Sequence, residues 1–123
     1  MECNYILKNH LSTNYYLLAN LLFICSKNQW RSPTAEGLFK NHPGHQARSA
    51  GTSDKARIKV NAKLLDWADL IFVMERKHQQ LLRLRFTDHI NHKQIVVLNI
   101  EDNYVFNDPK LVEILTTCLT DYL

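Results

Sequence analysis

The amino-acid sequence predicts one three-layer α/β domain, in which helices cover both faces of a parallel sheet. Short, continuous apolar runs of strand length recur along the chain, as is typical of strands buried on both faces. Helical patterns separate these runs, and such alternation is typical of parallel sheets with helical crossovers. The 123 residues, 46% hydrophobic and 22% charged, suit a single core and exclude disordered or fibrous classes.

The first predicted strand and helix surround a polar loop. Leu21–Cys25 is an apolar run that ends in a polar segment, so it predicts a buried strand. Pro33 suits the first turn of a helix, and Leu38 and Phe39 follow at helical spacing. We therefore predict a helix over Pro33–Lys40.

The next predicted elements follow a His-Pro-Gly turn at residues 42–44. A short strand is predicted over Gln46–Ser49. Thr52, Ser53 and Asp54 are candidate N-caps for the helix after it. That helix is indicated by apolar residues at near-helical intervals: Ile58, Ala62, Leu65 and Trp67.

The second half of the chain repeats the alternation. Leu70–Met74 and Ile95–Leu98 predict two more buried strands, and a basic amphipathic helix is predicted over Arg76–Arg85 between them. Asp108 and Pro109 form a cap and first turn for a last helix. One face of that helix is apolar: Leu111, Ile114, Leu115 and Cys118.

Residues 1–18 lack clear periodicity and predict an N-terminal extension, with a short helix over Tyr5–Leu18, ahead of a domain at residues 19–123. The longest apolar stretch is far shorter than the roughly 20 residues of a membrane span. The acidic, polar start does not resemble a secretory signal, and the three cysteines are widely spaced. We therefore expect a cytoplasmic protein with free thiols and no membrane partner.

The loop after the first strand is the first candidate for chemistry, because ligands of such sheets bind beyond the carboxyl ends of strands. It reads Cys-Ser-Lys-Asn-Gln-Trp-Arg-Ser over residues 25–32. A helix N-terminus binds phosphate and favours a thiolate at Cys25. Arg31 opposes the helix dipole unless an anion is present, and its fork can grip two phosphate oxygens. The spacing alone is weak evidence, since Cys25 could simply be a small buried hydrophobe.

Three segments, residues 22–36, 49–52 and 68–75, resemble the signature segments of the low-molecular-weight protein tyrosine phosphatases. The resemblance implies a flavodoxin-like fold with a four-stranded parallel sheet. It also implies hydrolysis of phosphorylated substrates through a phosphocysteine, without metal or other cofactor. It assigns the nucleophile to Cys25, the phosphate clamp to Arg31 and the thiolate partner to Ser32. Asn28 and Ser49 would brace the loop, which is completed by Ser26, Lys27, Gln29 and Trp30.

The family also requires a carboxylic acid that protonates the leaving oxygen, and two aspartates are candidates. Asp108 keeps the Asp-Pro pair of the family but is also a natural helix cap. Asp102 keeps the distance to the following Tyr104 and to the last helix, in a loop after the fourth strand. We therefore predict Asp102 as the general acid, with Asp108 as the second candidate.

The chain departs from the family pattern around the predicted site. Lys27 replaces a usual glycine, Trp30 replaces a frequent second cysteine, and the segment after Thr52 is short. Lys55 stands where an aromatic wall residue is common. Positive charge from Lys27, Lys55 and Arg57 would favour substrates with additional anions, such as acidic phosphopeptides, nucleotides or nucleic-acid ends. Trp30 and Tyr104 could still stack on a ring.

Two other functions remain open at this stage. One is a catalytically weak or inactive module that binds phosphorylated ligands. The other is an arsenate reductase, which uses a similar loop but relays electrons through further cysteines close to the first. The histidines show no metal-binding spacing, and the basic residues of the Arg76–Arg85 helix are expected to form a solvated face.

Overall fold

A four-stranded parallel sheet forms the centre of the fold, as the sequence predicts. The structure, a computed structural model, describes residues 19–122, so the predicted extension and its helix over Tyr5–Leu18 lie outside the described residues. All three strand pairings are parallel, and the strand order is β2-β1-β3-β4. The strands are β1 (Ala19–Cys25), β2 (His45–Gly51), β3 (Leu70–Val73) and β4 (Gln94–Val97).

Helices cover both faces of this sheet, which confirms the three-layer prediction. Alternate residues of a strand point to opposite faces. Phe23 accordingly joins a core cluster with Leu111, whereas Ile24 joins a second cluster with Leu65 and Leu82. The helices are α1 (Arg31–Leu38), α2 (Ala62–Trp67), α3 (Arg76–Arg85), α4 (Thr87–Ile90) and α5 (Pro109–Thr120).

The strand register brings three loops to one edge of the sheet. Cys25 at the end of β1 pairs with Gly51 at the end of β2, and Ile24 pairs with Val73 of β3. The Ile100 amide donates to the Met74 carbonyl at 2.8 Å, which fixes the loop after β4 against the end of β3. The loops after β1, β3 and β4 therefore meet at the carboxyl edge.

The predicted helix start at Thr52–Asp54 is wrong. The chain first turns back towards β2, where the Gly51 amide donates to the Ile58 carbonyl at 2.8 Å and the Gly51 carbonyl accepts from Val60 at 2.9 Å. These bonds hold the segment extended, so α2 begins only after Asn61, whose side chain caps it. The apolar spacing of Ile58 therefore does not reflect helix.

Helix α1 also differs from its predicted bounds. It begins at Arg31, two residues before the predicted Pro33, and it ends at Leu38. Proline is compatible with any position of a first turn, because the N–H groups there have no intrahelical partner. Proline therefore marks the first turn without fixing the first residue. The four-residue α4 was not predicted, because it is too short to show periodicity.

Within the described part of the chain, no helix has the length and apolar character needed to cross a bilayer.

Gly51 permits close packing of residues 53–57, here called the bracing segment, against the loop after β1. A Cβ at this position would overlap the Ser26 carbonyl oxygen and lie 2.7 Å from the Cβ of Ala56. We expect Gly51→Ala to lower the free energy of unfolding by about 1–3 kcal/mol, measured by urea denaturation. Gly37→Ala is the control, because nothing lies within 4 Å of its Cβ position.

The control should instead gain about 0.5–1 kcal/mol, because alanine restricts the unfolded chain and favours helix. Equal stability of Gly51→Ala and the parent protein would contradict the close packing at this edge.

Candidate active site

A small cavity opens at the carboxyl edge of the sheet, directly above the end of β1. Its volume is about 100 Å³. Cys25 lies at its base and is only 3% exposed, which shields the thiol from bulk solvent. Two parts of the chain form the lining, the loop after β1 and the loop after β4, and Cys25 and Asp102 are 77 positions apart in the sequence. The lining residues are Cys25, Lys27, Gln29, Trp30, Arg31 and Asp102.

The loop over residues 25–31 is held from outside by residues 53–57. The carbonyl oxygens of Ser26 and Lys27 accept from the Ser53 amide at 2.9 Å and the Arg57 amide at 3.0 Å. The Asn28 carbonyl accepts from Nε of Arg57 at 3.0 Å. In a trans peptide the N–H points opposite to the C=O. The amides that follow these carbonyls therefore point away from the bracing segment, as an anion-binding loop requires.

Asn28 occupies the turn of this loop and carries an unusual backbone conformation. Its φ is 55° and its side chain is fully buried. Asparagine tolerates this left-handed region better than most residues other than glycine. Its side-chain Nδ2 donates to Ser32 Oγ at 2.8 Å and to Ser49 Oγ at 2.9 Å. The predicted bracing residues are thus brought together beneath the loop.

The hydrogen bonds under the loop have a fixed direction that starts at Glu36. The Ser49 hydroxyl donates to Glu36 Oε1 and accepts from Asn28 Nδ2, which can only donate. The second Asn28 proton goes to Ser32 Oγ. The Ser32 proton thus remains available for Cys25 Sγ at 3.0 Å or for a backbone carbonyl at 3.3 Å. The chain of bonds therefore leaves the Ser32 hydroxyl able to donate to the sulfur.

Arg31, the first residue of α1, is 1% exposed and is held by the loops after β3 and β4. Its Nη1 donates to the Ile100 carbonyl at 2.7 Å and lies 3.3 Å from Glu75 Oε1. Its Nε lies 3.5 Å from Asp102 Oδ1. A buried cation needs such partners, because its desolvation is costly. The guanidinium is therefore oriented at the cavity before any ligand binds.

Glu75 provides the partly buried counter-charge to Arg31, a role that the sequence analysis missed. Burial alone raises the pKa of Glu75, but the charges and hydrogen bonds of Arg31 and Lys77 outweigh it and the pKa is lowered overall. Glu75 follows the end of β3 and is the N-cap of α3. The role could have been predicted from its position after β3, because residues at the carboxyl edge of such a sheet face the ligand site.

His78 is a second residue that the sequence analysis missed. It is fully buried on α3, with Nε2 2.9 Å from Ser26 Oγ and Nδ1 accepting the Glu75 amide at 3.0 Å. Burial, and then the charge of Arg31, lowers the pKa of His78 to about 4. Its contact with the Glu75 backbone could have been predicted, because His78 lies three residues after the N-cap, at the position of the second capping-box residue.

The two candidate acids lie in different surroundings. Asp102 lines the cavity, and its side chain is 54% exposed. Asp108 is the N-cap of α5 and accepts from the Lys110 amide at 2.8 Å, and it is absent from the cavity lining. The geometry therefore favours Asp102 as the residue that can reach a bound phosphate.

Three residues expected at the rim do not line this cavity: Lys55, Arg57 and Tyr104. Lys55 is exposed and does not line the cavity, because the short segment after Thr52 turns back towards β2. Tyr104 is partly buried against the core cluster that contains Phe23, and it does not line the cavity. Trp30 does line the cavity and is 42% exposed.

Over residues 19–122, the structure contains no cluster of three or more His, Cys, Asp or Glu side chains suited to a metal ion.

Comparison with known proteins identifies the family of this chain. No family model matches the sequence. A curated relative, the low-molecular-weight protein-tyrosine-phosphatase Ptp of Acinetobacter johnsonii, is 31% identical over 138 aligned positions, covering 84% of this chain and 94% of the relative. The chain belongs to the low-molecular-weight protein tyrosine phosphatase family. Membership confirms the predicted class, a cysteine-dependent phosphatase that acts on phosphorylated substrates.

Solved structures of phosphatases share the fold of this family member. The tyrosine phosphatase Wzb from Escherichia coli K30, in complex with phosphate, is 20% identical with a TM-score of 0.69, covering 85% of this chain and 96% of Wzb. A YwlE mutant from Bacillus subtilis is 20% identical with a TM-score of 0.62, covering 84% of this chain and 97% of the YwlE chain. The YwlE arginine phosphatase from Geobacillus stearothermophilus is 21% identical with a TM-score of 0.57, covering 84% of each chain. These similarities confirm the predicted fold.

Buried His78 makes the stability of the protein depend on pH. Its folded-state pKa of about 4 lies below the ordinary 6.5, so the unfolded chain binds more protons between these values. This contribution is fully present above pH 6.5 and is lost as the pH falls towards 4. We expect the free energy of unfolding to fall by about 2 kcal/mol between about pH 7 and about pH 4.5.

Urea unfolding at a series of pH values measures this decrease. His78→Gln should remove most of it, because glutamine does not titrate, whereas His92→Gln changes an exposed histidine and should leave it intact. The lowered pKa of Glu75 adds a loss in the same direction, mainly below its ordinary value of 4.5. A decrease that persists unchanged in His78→Gln would contradict the assignment.

Proposed function

We propose that this phosphatase hydrolyses phosphomonoesters through a covalent phosphocysteine at Cys25. One observation carries the proposal: the thiol lies at the base of a cavity whose lining also contains the buried Arg31 and the carboxylate of Asp102. These groups provide a nucleophile, an anion clamp and a proton donor within one small space. The Ser32 hydroxyl, 3.0 Å from Sγ, is available to stabilise the sulfur anion.

In the first step the phosphate dianion binds between the loop amides and Arg31. The Cys25 thiolate attacks phosphorus, so that an S–P bond forms while the P–O bond to the leaving group breaks. Asp102, in its protonated form, transfers its proton to the leaving oxygen. The loop amides and Arg31 stabilise the charge that develops on the equatorial oxygens.

In the second step a water molecule replaces the leaving group. Asp102, now a carboxylate, takes a proton from the water as its oxygen attacks phosphorus. The S–P bond breaks and inorganic phosphate leaves. The electron pair returns to Cys25 Sγ, where the Ser32 hydroxyl stabilises the anion by a hydrogen bond. The enzyme is thereby restored without a metal ion.

The other functions considered receive less support from the geometry. A binding module without catalysis has no need of a carboxylate at the cavity, yet Asp102 lies there. An arsenate reductase needs relay thiols near the first. Cys118 is the other cysteine in the described part of the chain, and it does not line the cavity that holds Cys25.

Metal-free hydrolysis of an aryl phosphate tests this mechanism. We expect turnover in the presence of a chelator, and Asp102→Asn should lower kcat by about 10²–10⁴ for substrates with poor leaving groups. The loss should be smaller for an activated aryl phosphate, which needs little protonation. Asp108→Asn is the matched control and should retain activity, because asparagine caps a helix about as well as aspartate.

A large loss in Asp108→Asn together with an active Asp102→Asn would reverse the assignment of the acid. Loss of turnover on chelation would argue against the metal-free mechanism itself.

We also propose that the preferred substrates carry anionic groups beyond the reacting phosphate. Lys27 lines the cavity that holds Cys25. A larger groove of about 720 Å³ adjoins it at Gln29 and is lined by Lys40 and Arg57 among others. Cations at a wide, open groove attract polyanions such as acidic phosphopeptides or nucleotides.

The salt dependence of kcat/KM tests this preference. We expect kcat/KM for an acidic phosphopeptide to exceed that for free phosphotyrosine at low salt, with the difference shrinking as salt screens the charges. Lys27→Ala should reduce the difference, whereas Lys55→Ala, outside the lining, should preserve it. A phosphoarginine peptide extends the panel, because some structural neighbours are arginine phosphatases. Equal effects of the two lysine changes would contradict a specific role for Lys27.

A further inference from the structure

His78 contacts the phosphate-binding loop from below, at the residue that follows the nucleophile. We propose that His78 is a positioning residue whose neutral ring, protonated on Nε2, holds Ser26 and thereby the loop that carries Cys25. The inference deepens the phosphatase function proposed above and rests on it. His78 has no place in the chemical steps of that mechanism, and it does not line the cavity.

The hydrogen-bond partners of the ring determine its tautomer. The backbone N–H of Glu75 can only donate, so Nδ1 of His78 accepts it at 3.0 Å and carries no proton. A neutral imidazole then carries its proton on Nε2. Ser26 Oγ, 2.9 Å away, therefore accepts from Nε2. The hydroxyl proton of Ser26 therefore points away from His78, and the Ser26 oxygen only accepts in this hydrogen bond.

This ring connects two loops that build the cavity. Ser26 is fixed twice, because its side chain accepts from His78 and its carbonyl accepts from the Ser53 amide at 2.9 Å. On the other side, His78 accepts the amide of Glu75, whose carboxylate lies 3.3 Å from Arg31. The same imidazole thus sets the residue next to the nucleophile and the backbone that presents the counter-charge to the clamp.

Burial, more than the surrounding charges, keeps the ring neutral in the physiological range. Arg31 and Lys77 oppose its protonation, whereas Glu75, at 4.0 Å, and the more distant Asp102 favour it, and burial opposes it most strongly. A second ring proton would place an N–H against the Glu75 amide, which also donates. The pKa of His78 is lowered to about 4, so the connection persists at neutral pH.

Nitrogen-15 NMR of the histidine rings tests the tautomer without any turnover. At neutral pH the His78 ring should show a protonated Nε2 and an unprotonated Nδ1. That pattern should persist when the pH is lowered to about 5, because the ring titrates near 4. A protonated Nδ1, or an imidazolium at neutral pH, would overturn the proposal whether or not the protein is an active phosphatase.

Two variants of His78 separate positioning from general stability. Glutamine places an amide donor near the position of Nε2, whereas asparagine is too short to reach Ser26. We expect His78→Asn to lower kcat/KM and to weaken vanadate binding, each by about 10- to 100-fold, while His78→Gln stays within about fivefold of the parent. Activity of folded His78→Asn equal to that of His78→Gln would overturn the proposal.

A double-mutant cycle with Ser26 tests whether His78 acts through that residue. In a Ser26→Ala background His78→Asn should cost little further vanadate affinity, because the acceptor is already gone. Additive losses would contradict the proposal. Vanadate affinity is measured by titration and does not need turnover, so these outcomes remain readable even if the phosphatase mechanism fails. Failure of that mechanism would instead appear as absent hydrolysis by the parent protein.

Discussion

The buried guanidinium of Arg31 is the constraint on which the carboxyl edge of the sheet depends. A cation that is 1% exposed and lies at the positive end of α1 is unfavourable unless anions and carbonyl oxygens surround it. The loops after β3 and β4 supply Glu75, Ile100 and Asp102 for this purpose. The clamp is therefore preorganised by these two loops, and a phosphate dianion adds the charge that this end of the helix still favours.

Two hydrogen-bonded systems hold the loop on either side of this charge. One begins at the Glu36 carboxylate and passes through two serines and Asn28 to the sulfur of Cys25. The other begins at the Glu75 amide and passes through His78 to Ser26. In both systems the first group can act in only one way, as acceptor or as donor, which sets the direction of the bonds that follow as far as Ser32, whose proton can go to the sulfur or to the Ala50 carbonyl. Such preorganisation lowers the reorganisation that catalysis would otherwise require.

The sequence predicted most of the sheet and the part of the cavity lining that follows β1 because both depend on local signals, whereas Asp102 was predicted through the family resemblance. Buried parallel strands are continuous apolar runs, and the residues that follow β1 stand where ligands bind. The errors arose where distant contacts decide the structure. The start of α2 was misplaced because bonds to Gly51 hold the preceding segment extended. Glu75 and His78 were missed because their contacts with Arg31 and Ser26 depend on the packing of α3 against the loop.

The central claim is a covalent phosphoryl transfer to Cys25, and trapping that intermediate tests it most directly. Asp102→Asn mixed rapidly with an activated aryl phosphate in chelator, then quenched in acid, should accumulate the intermediate because the variant lacks the carboxylate that activates water. Mass spectrometry of the digested protein should place one phosphate on the peptide that contains Cys25. Turnover with that peptide unmodified, or with the phosphate on another residue, would contradict the account.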